Sequence, residues 1–231
     1  MIPKIEICAN SLQSALNAQK GGANRIELCD NLLEGGTTPS LGVLHTAKNL
    51  LDIDIYVLIR PRGGDFCYND PEFQAMLQNI KYAKEIGANG IVSGILTENQ
   101  ELDIRRTQEL IEASNPLPFT FHRAFDIVPN PFKTQQELIK LGATRILTSG
   151  QKPTAIKGAS LLQQLIKIAG KQITILVGGG ITAQNIQKLK NETQAPEYHF
   201  SAKSTKQTEN KIPIYETDMK KVKKIVKLLK I

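Results

Sequence analysis

Eight short runs of β-branched and apolar residues, separated by stretches of helical pattern, predict an α/β fold in which strands and helices alternate. The runs start 21 to 35 residues apart, which suits one parallel β/α unit each. A Gly-Ala step recurs ahead of every second run, and the GxGxxG loop of an open doubly wound sheet does not occur. These observations favour a closed (β/α)8 barrel, the TIM-barrel architecture, with residues 1–231 as a single domain.

The predicted strands follow one another along the whole chain. In order they are KIEICA from Lys4, RIELC from Arg25, IYVLIR from Ile55, GIVSGIL from Gly90, PFTFH from Pro118, RILTS from Arg145, ITILVGGG from Ile173 and EYHFSA from Glu197. Helical patterns lie between them, for example at residues 11–20, 71–86, 103–114, 155–169 and 183–190. No stretch of chain is left over for a second domain or a linker.

An internal repeat supports this order of elements. GANRIEL, GANGIVS and GATRILT, at residues 22–28, 87–93 and 142–148, lead into the second, fourth and sixth predicted strands. The glycine fits a helix C-cap that needs a positive φ, and the alanine lets helix and strand approach closely. A fourth copy is expected before the eighth strand, but it is not recognisable there.

The last dozen residues predict an amphipathic helix. Val222, Ile225, Val226 and Leu229 recur at helical spacing, and six lysines lie among and around them. A solvated lysine face is one interpretation, and binding to nucleic acid or to a membrane surface is another. The chain has no Trp and no aromatic residues among these lysines, so we expect neither a nucleic-acid nor a membrane partner.

The composition excludes several classes of protein. Of 231 residues, 41% are hydrophobic and 22% are charged, with a net charge of +7, which excludes a disordered or fibrous chain. Three cysteines without a CxxC pair do not make a disulfide framework. The N-terminus has no apolar signal core, and the apolar runs are far shorter than the roughly 18 residues of a membrane span. We therefore expect a reduced, cytoplasmic protein.

Strand alternation predicts that ionisable and thiol side chains point into the barrel. Isoleucines and phenylalanines occupy the outward positions, which leaves the inward ones to Glu6, Cys8, Glu27, Cys29, Arg60, His122 and His199. Unpaired charges there would cost several kcal/mol each. A structural ion-pair network is one explanation, and a functional site is the one we favour.

Loops at the same end of the barrel add groups that suit an anion. Arginine forks match carboxylates and phosphates, and loops seven and eight form the usual phosphate site of these barrels. The triple glycine after the seventh strand is equally consistent with a tight turn. The expected substrate-binding residues are Arg60, Arg62, Arg123, Gly178, Gly179, His199 and Ser201.

Several blocks resemble the CutC copper-homeostasis family in sequence and in order. They are ELC at the end of the second strand, EGGTTPSLGVL at residues 34–44, RPRGGDFCY at 60–68, TFHRAFD at 120–126, RILTSGQ at 145–151 and the later GGG. The resemblance covers essentially the whole chain. It implies a (β/α)8 barrel, a cytosolic location, a homodimer or larger homo-oligomer, and copper binding centred on Cys8 and Cys29. It implies no known substrate or reaction.

Copper binding is the first functional hypothesis. Cys8 and Cys29 end neighbouring strands and point inward, and two facing thiolates suit soft Cu(I). A tetrahedral Zn²⁺ site would require four ligands, so Cu(I) is the expected metal. The alternative is that both thiols only fill the core.

The second hypothesis is an enzyme that acts on a small anionic, possibly phosphorylated, substrate. Glu6 or Glu27 would be the general base and His122 the acid, with Asp126 beside them; Arg60, Arg62 and Arg123 would clamp the anion. Isomerisation and hydrolysis are the natural reaction classes. A third hypothesis is a ligand sensor, which would need the arginines but not the carboxylates or imidazoles. Whether the protein is an enzyme stays open at this point.

Overall fold

The computed structural model describes residues 2–207, 210 and 212–230, and its centre is a closed barrel of eight strands. The strands pair in parallel in chain order, and the eighth pairs with the first. They are β1 (Lys4–Ala9), β2 (Arg25–Leu28), β3 (Asp54–Leu58), β4 (Gly90–Ser93), β5 (Phe119–Phe121), β6 (Arg145–Thr148), β7 (Thr174–Gly178) and β8 (Glu197–Phe200). The predicted (β/α)8 barrel is thus confirmed.

Eight α-helices surround the described barrel. They are α1 (Leu12–Gly21), α2 (Leu41–Leu50), α3 (Asp70–Ile86), α4 (Ile104–Ser114), α5 (Pro131–Leu141), α6 (Ala159–Ala169), α7 (Ile186–Thr193) and α8 (Met219–Lys230). The helical pattern at residue 155 begins four residues before α6, because bends and turns lead up to the N-cap Gly158. None of these helices is both long and apolar enough to cross a membrane.

A hairpin between β8 and α8 was not predicted. Its strands β9 (Lys203–Gln207) and β10 (Pro213–Thr217) are antiparallel and lie outside the barrel sheet. The hairpin is attached to α1, since Asn17 donates to the carbonyl of Thr217 at 2.9 Å and the Thr217 amide donates to Ser14 Oγ at 3.1 Å. Lysine, threonine and glutamine side chains in β9 hide its strand pattern.

The Gly-Ala repeat has the structural role that the sequence predicts. Gly22, Gly87 and Gly142 are the C-caps of α1, α3 and α5, with φ of 94°, 93° and 87°. The fourth copy is present in the backbone although the glycine is missing. Gln194, with φ 50°, caps α7 in the left-handed region, and the buried Ala195 follows it. A glutamine at this cap explains why the sequence does not reveal the repeat.

The terminal helix α8 completes the helical ring between α1 and α7. Its predicted apolar face is buried, with Val222 fully covered and Val226 only 6% exposed. Val222 packs so closely on Gly21 that a Cβ at position 21 would lie 2.5 Å from its side chain. The lysines point away from this contact, towards solvent.

Candidate active site and metal centre at the barrel mouth

A cavity of about 430 Å³ opens at the C-terminal end of the barrel strands. Most of the predicted site residues line it: Cys8, Glu27, Arg60, His122, Arg123, Asp126, Gly179, His199 and Ser201. Apolar side chains complete the wall, among them Leu58, Phe66, Leu147 and Ile181. Six strands or the loops that follow them contribute predicted residues, because the ends of parallel strands meet at one face of a barrel.

Two thiols lie at the floor of this cavity. The sulfur of Cys8 is 3.5 Å from the sulfur of Cys29, and neither cysteine is in a disulfide. Cys8 reaches the cavity surface, whereas Cys29 lies beneath it, 1% exposed, with its sulfur 3.7 Å from the carbonyl oxygen of Ala9. The Cys29 thiol and burial raise the pKa of Cys8 well above its usual range.

Glu27 and His199 lie beside the outer thiol. One ligand atom each from Cys8, Glu27 and His199 falls within 4.8 Å of the other two. His199 Nε2 is 3.7 Å from a carboxylate oxygen of Glu27. Burial raises the pKa of Glu27. The sequence predicts Glu27 as a general base and His199 as a substrate-binding residue. In the structure both residues also lie next to the thiols.

His199 links the cavity floor to the barrel interior. Its Nδ1 is 2.7 Å from Glu6, which is itself bonded to Arg25. Burial would lower the pKa of His199, but the carboxylates of Glu27 and Glu6 hold it well above its ordinary value. Burial would raise the pKa of Glu6, but His199 and Arg25 lower it to about 2. Both groups are therefore charged at neutral pH.

A layer of paired charges lies below Glu6, and sequence reasoning had missed most of it. Arg25 bonds Glu6 and Glu197, while Arg145 bonds the Tyr56 hydroxyl and lies 3.7 Å from Glu197. Arg25 and Arg145 are the first residues of their strands, on the inward side of the same alternation. Extending the alternation to each first strand residue would have found them. Its contact with Arg25 gives Glu6 a structural ion pair, which is the alternative explanation for that residue.

This network changes the expectation for Glu6. Glu6 is 1% exposed, does not line the cavity and already bonds two cationic partners. A general base needs a free lone pair facing its substrate. The geometry therefore favours Glu27 over Glu6 for any proton transfer in the cavity.

His122 is held as a neutral imidazole. Its Nδ1 accepts a hydrogen bond from the Ala124 amide at 3.3 Å, so the ring proton resides on Nε2. Burial and the charge of Arg60 lower the pKa of His122 to about 3. Phe66 packs against the ring at a centroid distance of 4.8 Å. At neutral pH the His122 side chain is therefore a neutral hydrogen-bond donor through Nε2–H.

Arg60 is fixed by backbone carbonyls. Its guanidinium donates to the carbonyls of Glu34, Gly36 and Gly64 at 2.6, 2.7 and 2.9 Å. The guanidinium carbon lies 5.0 Å from the centroid of the Phe66 ring, and Arg60 is 5% exposed. The loops that follow β2 and β3 thus hold one positive charge at the wall of the cavity.

Asp126 anchors a loop. Its carboxylate accepts hydrogen bonds from the Thr148 and Ser149 hydroxyls and from the Ser149 and Gln151 amides, and it pairs with Arg123 Nε at 2.7 Å. These contacts occupy its lone pairs and hold the loop after β6. The geometry therefore favours a structural part for Asp126 over the predicted catalytic one.

Arg62 and Gly178 do not line the cavity. Arg62 turns towards the start of α3, where it bonds Glu72 at 2.6 Å and Asp65 at 3.0 Å. Gly178 lies beneath the mouth, where a Cβ would meet Leu147 at 2.6 Å and His199 at 3.3 Å. The structure thus places the charge of Arg62 against two acidic neighbours, away from the cavity in which it was expected to bind an anion.

The donor set fits a thiophilic metal ion. Two sulfurs that share one metal at about 2.3 Å lie roughly 3.8 Å apart at a tetrahedral angle and up to about 4.6 Å apart in a linear arrangement. The sulfurs of Cys8 and Cys29, 3.5 Å apart, would therefore have to separate by a few tenths of an ångström or more to share one ion. Soft thiolates select Cu(I). His199 and Glu27 are available only after their mutual ion pair opens, so the two sulfurs are the ligands that need the least rearrangement.

Comparisons with known proteins agree with the fold and with these motifs. A family model described as the CutC family matches residues 3–204. A CutC family protein of Parabacteroides distasonis is 51% identical over 201 residues, 87% of this chain and 83% of the relative. A mouse protein named copper homeostasis protein cutC homolog is 48% identical, over 87% of this chain and 74% of its own.

A solved structure is similar as well. The crystal structure of the putative copper homeostasis protein CutC from Streptococcus agalactiae superposes with a TM-score of 0.83 at 40% identity. The match covers 87% of this chain and 99% of that one. The residues that the family model matches include Cys8, Cys29, Arg60 and His122. The chain belongs to the CutC family.

Proposed function

We propose that this protein binds Cu(I) at the floor of the barrel cavity through Cys8 and Cys29, as part of copper homeostasis. The observation that carries the proposal is the pair of free thiols 3.5 Å apart, one of which opens to the cavity. The names of relatives such as the mouse protein point to the same metal.

The neighbouring groups favour Cu(I) over Zn²⁺ for a reason that differs from the first expectation. Two further ligand atoms are close to Cys8, so a shortage of ligands does not exclude zinc. His199, however, is protonated and paired with Glu6 and Glu27. A four-ligand zinc site would have to break both ion pairs, whereas Cu(I) needs only the two thiols, which release their protons when they bind the ion.

The test is a competition for Cu(I) between the reduced protein and a chelator. We expect the Cys8→Ser plus Cys29→Ser variant to lose its bound copper, because a serine oxygen is a hard ligand. Cys67→Ser is the matched control, since Cys67 lies in the loop before α3, outside the cavity lining, and its loss should leave copper binding unchanged.

Circular dichroism would establish that each variant is folded. Equal copper retention in a folded double variant would contradict the proposal and leave the two thiols as core residues. A parallel titration with Zn²⁺ tests the selectivity, with weaker binding of zinc as the expected result.

A further inference from the structure

Two buried polar groups at the cavity wall lack a partner of the kind that their chemistry requires. His122 is 5% exposed, and its Nε2 has no hydrogen-bond partner in the structure. Leaving a buried donor without an acceptor is energetically costly. Because Nδ1 is already occupied, Nε2–H is the donor that remains for a ligand in the cavity that this residue lines.

Arg60 supplies a charge that no carboxylate balances. Among the described residues that line the cavity, Arg123 pairs with Asp126 and His199 pairs with Glu27 and Glu6. The Arg60 guanidinium forms no ion pair with any described residue, and its partners are neutral carbonyls. A buried cation without a counter-ion is costly, which indicates that the cavity is built for an anion.

The two groups belong to one wall. Phe66 packs against the ring of His122 at 4.8 Å and against the guanidinium of Arg60 at 5.0 Å. Both residues line the same cavity, next to the apolar side chains of Leu58, Leu147 and Ile181. The wall therefore presents one positive charge, one neutral hydrogen-bond donor and an apolar surface.

We propose that this wall is a binding subsite for a small organic carboxylate, with a carboxylate oxygen accepting from His122 Nε2–H near the charge of Arg60 and the carbon chain on the apolar surface. One net positive charge matches a monoanion. The neutral state of His122 fits the role of a donor that keeps its proton. Copper is not part of this subsite, so the carboxylate proposal and the metal proposal can be tested separately.

The first measurement follows the imidazole nitrogens of the reduced protein by NMR while acetate, butyrate or sulfate is added. The chain contains three histidines, so the Nε2 signal of His122 can be assigned with single His variants. We expect a saturable shift of this signal with acetate. Butyrate should bind several-fold more tightly because it adds apolar surface, and sulfate should bind more weakly.

The second measurement compares acetate and butyrate affinities by calorimetry in His122→Ala and Arg60→Met. Each change should weaken binding on the order of tenfold or more, since each removes a hydrogen bond or a charge at the ligand. His45→Ala and Arg105→Met are the matched controls, because both residues are exposed on outer helices. They should bind as the wild type does.

The absence of any saturable shift at His122 in the wild type would overturn the proposal. So would unchanged affinity in folded His122→Ala and Arg60→Met variants. Tighter binding of sulfate than of both carboxylates would also overturn it, because the subsite would then serve inorganic anions. If either variant fails to fold, the wild-type NMR titration alone decides.

Discussion

At the scale of single residues, the buried Glu6 connects the cavity floor to the charges below it. Its partners Arg25 and His199 hold its pKa near 2, so this carboxylate is ionised in the folded protein at any pH above that value. In the unfolded chain its pKa returns to the ordinary range near 4.5. The stabilisation from Glu6 is therefore present above about pH 4.5 and is lost as the pH falls towards 2.

We expect Glu6→Gln to lower the free energy of unfolding by about 3–5 kcal/mol at pH 7, because it leaves two buried cations short of a partner. Urea unfolding at pH 7, 4.5 and 3 would measure this loss, and the variant should differ less from the wild type as the pH falls. Glu109→Gln is the control, since its pair with Arg105 is exposed and contributes well under 1 kcal/mol. Equal stability of Glu6→Gln and wild type would refute this account.

Which residues of the site could be predicted from the sequence depends on where they lie. Inward strand positions follow the period of two, so Cys8, Glu27 and His199 were found by alternation alone. Loop residues follow no period, so the sequence does not indicate that Arg62 turns to Glu72 at the start of α3 or that Asp126 bonds the loop after β6. Strand alternation predicts that Arg60 points inward, but no sequence pattern indicates that three backbone carbonyls hold its guanidinium.

At the scale of secondary-structure elements, the requirement for glycine at the helix C-caps of the Gly-Ala repeat can be tested by substitution. Gly142 has a φ of 87° and open space around its Cα, so an alanine there meets backbone strain alone. We expect Gly142→Ala to destabilise the protein by about 1–2 kcal/mol in urea unfolding. Gly42→Ala is the opposite control, because Gly42 lies within α2 with equally open space, and alanine there should stabilise by about 0.5–1 kcal/mol. Two changes of the same sign would contradict this view of the caps.

The elements themselves were largely predictable because each has a local signal. All eight strands appear where apolar runs predict them, and three helix ends are marked by glycines. The hairpin of β9 and β10 and the cap at Gln194 were missed. The hairpin is held by hydrogen bonds to α1, and Gln194 adopts a left-handed conformation that its residue type does not favour.

At the scale of the whole molecule, α8 is the helix that closes the ring. The family match ends at residue 204, so most of the hairpin and all of α8 lie beyond it, yet α8 packs against both α1 and α7. Its four buried side chains, Val222, Ile225, Val226 and Leu229, each contribute roughly 1.5–3 kcal/mol by burial. Their sum is comparable to the total stability of a typical domain.

We therefore expect deletion of residues 219–231 to abolish cooperative unfolding, as measured by circular dichroism during urea titration. Replacing the six lysines of α8 by glutamine is the matched control. It removes the charge but keeps the apolar face, and it should leave the unfolding transition cooperative. A truncated chain that unfolds as cooperatively as the wild type would show that the ring does not need α8.

The two thiols lie at different depths, so a Cu(I) ion would bind them one after the other. Cys8 opens to the cavity, and Cys29 is reached only past it. An ion delivered from the mouth would exchange one carrier ligand for the outer sulfur before the inner sulfur engages, and it would leave in the reverse order. The outer sulfur would then govern the rate of capture, and the inner sulfur would govern how long the ion stays bound. The barrel would thus receive an ion from one carrier and release it slowly to the next.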